Sequence, residues 1–373
     1  MIIDVDKLKE VANKVLSAVD SSEISTLTET LAIKAVDDIF YISVTNRKYF
    51  VKIKLNVKTD VPIYATVNAN LFLKLISQTT TPDIEMYTSN NSLIIKGNGT
   101  YKLPMIYSGD ELLEIPEITI NNKTCEMDVP TSILYSINQY NSKELKKGKA
   151  IQPVQKLYYI DNEGALTFTS GACVNNFNLD KPIKILVDNK IVKLFKLFTD
   201  ETVHLILGHD ALQDDTIQTK LSLISDDVVL TTILTNDDKL INSVPVNAIR
   251  GRANKVYPYS IDINKDTLLQ IINRLMLFNS SEDKLVCGCV FEFGSDKVTI
   301  WDPNKENCEY MDYLNKSSGI DNLYTAKLNY MDLKITLETC TDHYLTVRFG
   351  DKSAFVFSKG NIHNIIPEVR LMR

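Results

Sequence analysis

The sequence predicts an α+β fold: three tandem copies of one unit, each with two helices packed on β-sheets. Three observations predict it. First, residues 2–8 (IIDVDKL), 126–131 (EMDVPT) and 260–266 (SIDINKD) share a short strand, an Asp one residue before Val or Ile, and a helical pattern directly after. Second, residues 65–71 (ATVNANL), 185–191 (ILVDNKI) and 326–331 (AKLNYM) share a strand, an Asn or Asp at a helix-capping position, and a short helix. Third, the remaining segments are rich in β-branched and aromatic residues with partial alternation.

The spacing makes the repeat hard to obtain by accident. Asp4, Asp128 and Asp262 are 124 and 134 residues apart, and the second motif follows the first by 62, 58 and 65 residues. A recurrence of this kind marks repeated supersecondary units. Boundaries near 123–125 and 251–255 then give units 1–124, 125–255 and 256–373, the second boundary carrying the polar run Arg250, Gly251, Arg252, Ala253, Asn254, Lys255. A chain of 373 residues accommodates this, since domains usually run about 100–200 residues.

Taken in order, the first helix spans about 7–19, with Asp6 as a candidate start and Leu8, Val11, Ala12, Val15, Leu16 and Val19 on its packed face. Lys14 falls on the open face, and Lys74 lies on the helix after Asn68. β-runs are expected over 39–54 and 83–96, and Gly97 to Thr100 reads as a hairpin turn. The second unit opens with a helix over 131–141, started by Pro130 or Thr131, and a basic cluster follows: Lys143, Lys146, Lys147 and Lys149, with Gly148 among them. Strands are expected over 157–168, 202–207 and 220–234. Between them, a helix near 190–198 packs Ile191, Leu194, Phe195 and Phe198 and turns Lys190, Lys193 and Lys196 to the opposite side. The third unit starts its helix at Asn264 or Asp266, packs Leu268, Ile271, Ile272 and Leu275, and exposes Arg274; strands over 286–301 and 344–358 and a helix carrying Lys334 complete it.

Bulk properties narrow the function. Hydrophobic residues make up 44% of the chain and charged residues 24%, a soluble globular balance. A net charge of −6 argues against a protein that coats nucleic acid with its whole surface, yet a local basic face acts alone because salt screens charges beyond about 10 Å at 0.1 M. The N-terminal residues lack the apolar core of a secretory signal, and no apolar run reaches about 18 residues, so the expectation is a cytoplasmic protein with reduced cysteines and no membrane partner. Catalytic chemistry is not legible. His204 and His209 are five apart in a β-like run, His343 and His363 are isolated, and Cys287 and Cys289 have one residue between them rather than the two to four of zinc sites. No phosphate loop, dinucleotide fingerprint or nucleophile elbow occurs. The reading is a non-enzyme with no cofactor and no metal.

At this point the chain resembles the bacterial sliding clamp, the beta subunit of DNA polymerase III, over its whole length. Leu71 to Ile76, Asp83 to Met86, Leu93 to Lys96 and Tyr101 to Pro104 look like the end of that family's first domain. Ile365, Ile366, Pro367, Glu368, Val369, Arg370 and Leu371 resemble its C-terminal tail. The resemblance implies a homodimeric ring around double-stranded DNA, lined by helices that touch phosphates without reading sequence. It implies a replicative polymerase and a clamp loader as partners. It also implies an apolar pocket for partner peptides, with Val154, Thr169, Gly171, Val174, Pro245, Ile365, Ile366, Pro367, Val369 and Leu371 as its candidates. Three departures are visible, one of them an extra residue in the tail before Arg370. The family's Thr-Asp-Gly-His-Arg-Leu is here Thr169, Ser170, Gly171, Ala172, Cys173, Val174, and only Val244 to Asn247 offers a place for its Phe-Pro-Asp-Tyr segment. Such drift suits a divergent, phage-type clamp. The rival reading is a clamp-fold interaction hub that does not encircle DNA.

Overall fold

A computed structural model describes residues 1–19, 25–147, 152–212, 216–235, 237–278, 288–316, 320 and 323–369. Its contacts form two compact units, Met1–Ser132 with Lys193–Thr235, and Ile133–Val192 with Asn236–Arg373. This division cuts through the second of the three sequence repeats.

In the first unit the chain runs β1 (Ile2–Asp4), α1 (Val5–Leu16), β2 (Thr30–Val36), β3 (Ile39–Thr45), β4 (Tyr49–Asn56), β5 (Ile63–Asn68), α2 (Ala69–Gln78), β6 (Asp83–Ser89), β7 (Ser92–Lys96) and β8 (Thr100–Pro104). A small ribbon, β9 (Tyr107–Ser108) with β10 (Glu111–Leu112), leads to β11 (Lys123–Pro130). The second repeat continues through α3 (Thr131–Ser136), a wider helical turn Ile137–Asn141 and α4 (Ser142–Glu144). Then come β12 (Leu157–Asp161), β13 (Gly164–Phe168), β14 (Ala172–Asn176), β15 (Lys184–Asp188) and α5 (Asn189–Leu194). β16 (Thr202–Ala211), β17 (Ile217–Ile224) and β18 (Val228–Ile233) close it. Two helices follow, α6 (Asp238–Asn242) and α7 (Val246–Asn254). The third repeat is β19 (Tyr259–Asn264), α8 (Lys265–Leu275), β20 (Gly288–Phe293), β21 (Lys297–Trp301), β22 (Cys308–Asp312), β23 (Asn315–Lys316), β24 (Tyr324–Asn329), α9 (Tyr330–Thr339), β25 (Tyr344–Phe349), β26 (Ala354–Lys359) and β27 (Ile362–Val369).

Each repeat is thus strand, helix and three-strand meander, twice over, and the opening strand of each half joins the meander of the other. In the first repeat β1 pairs β6 and β5 pairs β2. In the second, β11 pairs β16 and β15 pairs β12. In the third, β19 pairs β25 and β24 pairs β20. This exchange places α1, α2, α5, α8 and α9 directly after strands that end in a capping residue, whereas α3 follows Pro130 at the end of β11.

The caps explain the sequence motifs. Asp4, Asn68, Asn264 and Asn329 each accept a backbone N–H from the first helical turn, and Asp188 accepts that of Lys190 at 2.7 Å. A cap of this kind stabilises a helix by roughly 1 kcal/mol. Asp4 rather than Asp6 starts the first helix. Asp128 and Asp262 lie inside strands, so the first repeat begins its helix two residues earlier than the shared Asp suggests. The long β-runs resolve into hairpins because left-handed residues punctuate them: Asn90 and Asn91 (φ 48° and 57°) break 83–96, and Arg47 (φ 69°) breaks 39–54. α1 buries Val5, Leu8, Val11, Ala12 and Val15, whereas Leu16, at its last turn, is half exposed. The stretch 250–255, read as a linker, is largely helical, since Arg250 to Asn254 form the last turn and a half of α7.

Between repeats, sheets fuse edge to edge. β4 pairs β18 within the first unit, with Ile53 opposite Val228. β14 pairs β27 within the second, with Ala172 opposite Ile365 and Val174 opposite His363.

Candidate functional site

The second unit carries a groove where β12, β13, β14 and β27 meet α6 and α7. Alternation along the strands turns Tyr159, Leu166, Ala172, Val174 and Leu186 to one face, where Val154, Val356 and Ile365 join them. Val244, between α6 and α7, and Ala253 of α7 pack on that layer, with Leu240, Ile241, Val246 and Ile249 at its partly open margin. A cavity of about 610 Å³ opens beside it, lined by Tyr159, Ile241, Pro245 and Val246 among others. Arg250 fixes one wall: it donates to Asp161 at 2.6 and 2.9 Å and to Glu163 at 2.9 Å. Burial and the neighbouring Asp161 push the Tyr159 phenol up to about 12, so it stays a neutral donor. An apolar layer with a few fixed polar groups is the chemistry that holds a short linear peptide by its apolar side chains.

The turn between β13 and β14 borders this groove and is pinned from below. Thr169 Oγ1 donates to the Glu144 carbonyl at 3.1 Å and to Glu144 Oε1 at 3.0 Å. Ser170 Oγ donates to Asp332 Oδ2 at 3.0 Å. The Lys147 ammonium sits 2.6 Å from Glu144 Oε2, both side chains fully enclosed. Burial raises the carboxyl groups of Glu144 and Asp332 above their usual range. Gly171 is obligatory here, because a Cβ would stand 2.2 Å from the carbonyl oxygen of Ile365.

Of the pocket candidates, Val154, Val174 and Ile365 lie in the groove layer and Pro245 lines its cavity. Thr169 and Gly171 shape the adjoining turn. Ile366 is a correction: alternation along β27 sends it to the opposite face, into the core of the third repeat with Phe291 and Phe355. Pro367 is half-buried opposite Ala354, Val369 is half-buried opposite Lys327, and Leu371 lies outside the described residues. The sequence reading missed Tyr159, Leu166, Leu186, Val356 and, apart from Val244 to Asn247, the α6–α7 margin. The β12 residues were legible as alternation; α7 was not, because Gly251 and the basic residues masked its apolar side.

The cationic residues divide into three groups. Lys74, Lys146, Lys190, Lys193 and Lys196 are exposed, and Ile191, Leu194, Phe195 and Phe198 are buried opposite the triplet. Others are half-buried or engaged by carboxylates: Lys14 with Glu10 at 3.1 Å, Arg274 with Glu309 at 2.5 Å, Lys334 with Glu338 at 3.9 Å, and Lys143 half-buried. Lys147 is a second correction: it is buried against Glu144, because its place after α4 aims it into the second unit's interior. Lys149 lies outside the described residues.

Three tandem double-meander repeats, with neighbouring sheets fused edge to edge, define the sliding-clamp fold. No protein-family model matches this sequence, and no curated protein does. Solved structures do match. The chain is similar to the DNA polymerase III subunit beta of Borrelia burgdorferi in complex with a natural product, at 12% identity and a TM-score of 0.81 over 100% of this chain and 99% of that one. It is similar to a Pseudomonas aeruginosa sliding clamp bound to griselimycin, at 13% identity and a TM-score of 0.80 over 100% and 99%. The Helicobacter pylori beta clamp bound to a DNA ligase peptide matches at 14% identity and a TM-score of 0.75 over 99% of each. The resemblance read from the sequence therefore holds for the fold of the entire chain. Among the described residues, no helix is long and apolar enough to cross a membrane.

Proposed function

We propose that this protein is a DNA polymerase processivity factor: a homodimeric sliding clamp that encircles duplex DNA and tethers a replicative polymerase and other partners. Its three domains are 1–124, 125–255 and 256–373. The observation that carries this reading is a series of sheet junctions. The last strand of one repeat's first half pairs with the last strand of the next repeat's second half: β4 with β18, then β14 with β27. The third term of the series would join β22 to β8. Among the described residues β22 pairs only β21 and β8 pairs only β7. A second copy fills both positions and closes the ring. Charge supports the match, since β8 carries Lys102 and β22 carries Glu309 and Asp312.

Inside such a ring the exposed Lys190, Lys193 and Lys196 touch phosphates, a sequence-independent contact that permits sliding. The closed topology supplies retention, and tethering raises the polymerase's effective concentration at the primer end. Ring opening falls to a separate clamp loader. The Val174–Ile365 groove takes the partners' peptides, as the Helicobacter pylori clamp takes a DNA ligase peptide.

The test pairs solution mass by light scattering with retention on nicked-circular and linearised DNA. A dimer retained on circles and lost from linear ends is the expected result. A monomer, or retention indifferent to ends, overturns the ring and leaves an interaction hub with the clamp fold.

A further inference from the structure

A second cavity in the Ile133–Val192, Asn236–Arg373 unit, of about 750 Å³, shares no residue with the Arg250 groove. Its cationic centre is Arg348 on β25, a half-buried guanidinium. Its donors reach three oxygens, none of them a carboxylate: Ala253 O at 2.7 Å, Ser358 Oγ at 3.1 Å and, more loosely, Lys255 O at 3.5 Å. Arg250 and Arg274, by contrast, are each neutralised by acidic partners. A half-buried guanidinium held by neutral acceptors keeps its charge and its orientation, and its remaining N–H groups can donate to a carboxylate.

The surrounding groups point the same way. Ser358 Oγ accepts from Arg348 and lies 2.9 Å from His363 Nδ1, which ties the imidazole to the same hydroxyl as the guanidinium. His363 and Lys359 also line the cavity, Lys359 as a second cation that reaches Asp342 only at 3.8 Å. The one carboxylate in that lining, Asp262, is engaged by Thr346 Oγ1 at 2.6 Å. Leu314 and Tyr344 form apolar walls, each about half exposed (52% and 53%).

We propose that this cavity is a binding site for an acidic peptide, with an Asp or Glu carboxylate on Arg348 and a flanking apolar side chain against Leu314 and Tyr344. Inorganic phosphate shares the oxyanion chemistry but leaves both apolar walls bare, so the peptide is the occupant that uses the whole cavity.

The test uses the full chain and three probes: a blocked Leu-Asp-Leu peptide, its Leu-Asn-Leu counterpart and inorganic phosphate. Calorimetry reads affinity. Proton NMR reads His363, one of only four histidines. Burial and Arg348 hold its imidazole below the ordinary histidine value in the free protein. The expected result is binding of the Asp peptide at least about tenfold tighter than the Asn peptide, the gain of a charge-assisted hydrogen bond, with the His363 titration moving to higher pH. Arg348→Gln should abolish the discrimination. Because Arg348 also anchors two carbonyls, Lys359→Gln at the rim serves as the milder variant and should weaken the Asp peptide two- to threefold, roughly the worth of an exposed charge. Equal affinity for both peptides with His363 unmoved overturns the proposal. So does a response to phosphate with neither peptide binding, which would make the cavity an inorganic-anion site.

Discussion

The first and second repeats build the same four-strand sheet and cover its outer face differently. In the first unit, β5, β2, β3 and β4 present Lys34, Tyr41, Lys52 and Tyr64 to a cavity of about 650 Å³ closed by the acidic segment Glu111 to Glu117. Lys34 lies over the Tyr64 ring at 5.6 Å, Lys52 lies over Tyr41 at 5.0 Å and pairs with Glu117 at 3.0 Å, and Thr66 Oγ1 holds the Leu113 carbonyl at 2.7 Å. In the second unit the equivalent face, on β15, β12, β13 and β14, is aliphatic and is covered by α6 and α7. Topology repeats; chemistry does not. The first face is held by weak, solvent-screened contacts. The second is held by burial, and a buried ion pair beneath the sheet pins the turn at its edge, so it is rigid where a peptide's apolar side chains would need a fixed surface.

Breaking the second face should cost far more than breaking the first. Lys147→Met strands Glu144 in the interior and should destabilise by about 3–5 kcal/mol at neutral pH. The loss should shrink in acid, because the Glu144 carboxyl, already raised by burial, then accepts a proton and the unpaired charge disappears. Denaturant midpoints at acid and alkaline pH check both the size and the sign. Ile365→Ala, at a side chain 3% exposed, should cost roughly 2–5 kcal/mol by the same measurement. Its counterpart on the first face, Tyr64→Ala, removes a side chain that is 49% exposed and should cost under about 1 kcal/mol. Equal losses at these two positions would erase the distinction between the faces.

The remaining two predictions barely touch stability. Replacing Lys190, Lys193 and Lys196 together with Gln should change unfolding by less than about 0.5 kcal/mol. Under the proposed DNA contact it should flatten the slope of log affinity against log salt by roughly 3, one phosphate per lysine. An unchanged slope would remove this helix from the DNA-facing surface. The smallest effect is a pair of opposite pH responses. His204 in the first unit is raised by hydrogen bonding to Asp128 and then Glu126, so its contribution is full below the ordinary histidine value and is lost as pH rises through its folded value. His363 in the second unit is lowered by burial and then Arg348, so its contribution is full above that value and is lost as pH falls through its folded value. NMR titration of both rings, with His204→Gln and His363→Gln as controls, should show midpoints on opposite sides of the free-histidine value.

By itself the sequence determined the repeat, the strand-to-helix junctions and the cationic stripe. All three rest on local physics: Asn68, Asp188 and Asn329 cap helices through hydrogen bonds spanning two or three residues, and the three-residue spacing of Lys190, Lys193 and Lys196 follows from helix geometry. Only the tertiary structure decided where Lys147 and Ile366 go. A lysine in a basic cluster reads as solvated until the long-range fold brings Thr169 and Asp332 around its local pair with Glu144. Two adjacent isoleucines read alike until strand pairing assigns Ile365 to the groove and Ile366 to the core behind it. The exchange of opening strands between half-repeats was likewise invisible, because it joins segments far apart in the chain, and no local propensity encodes a partner at that distance.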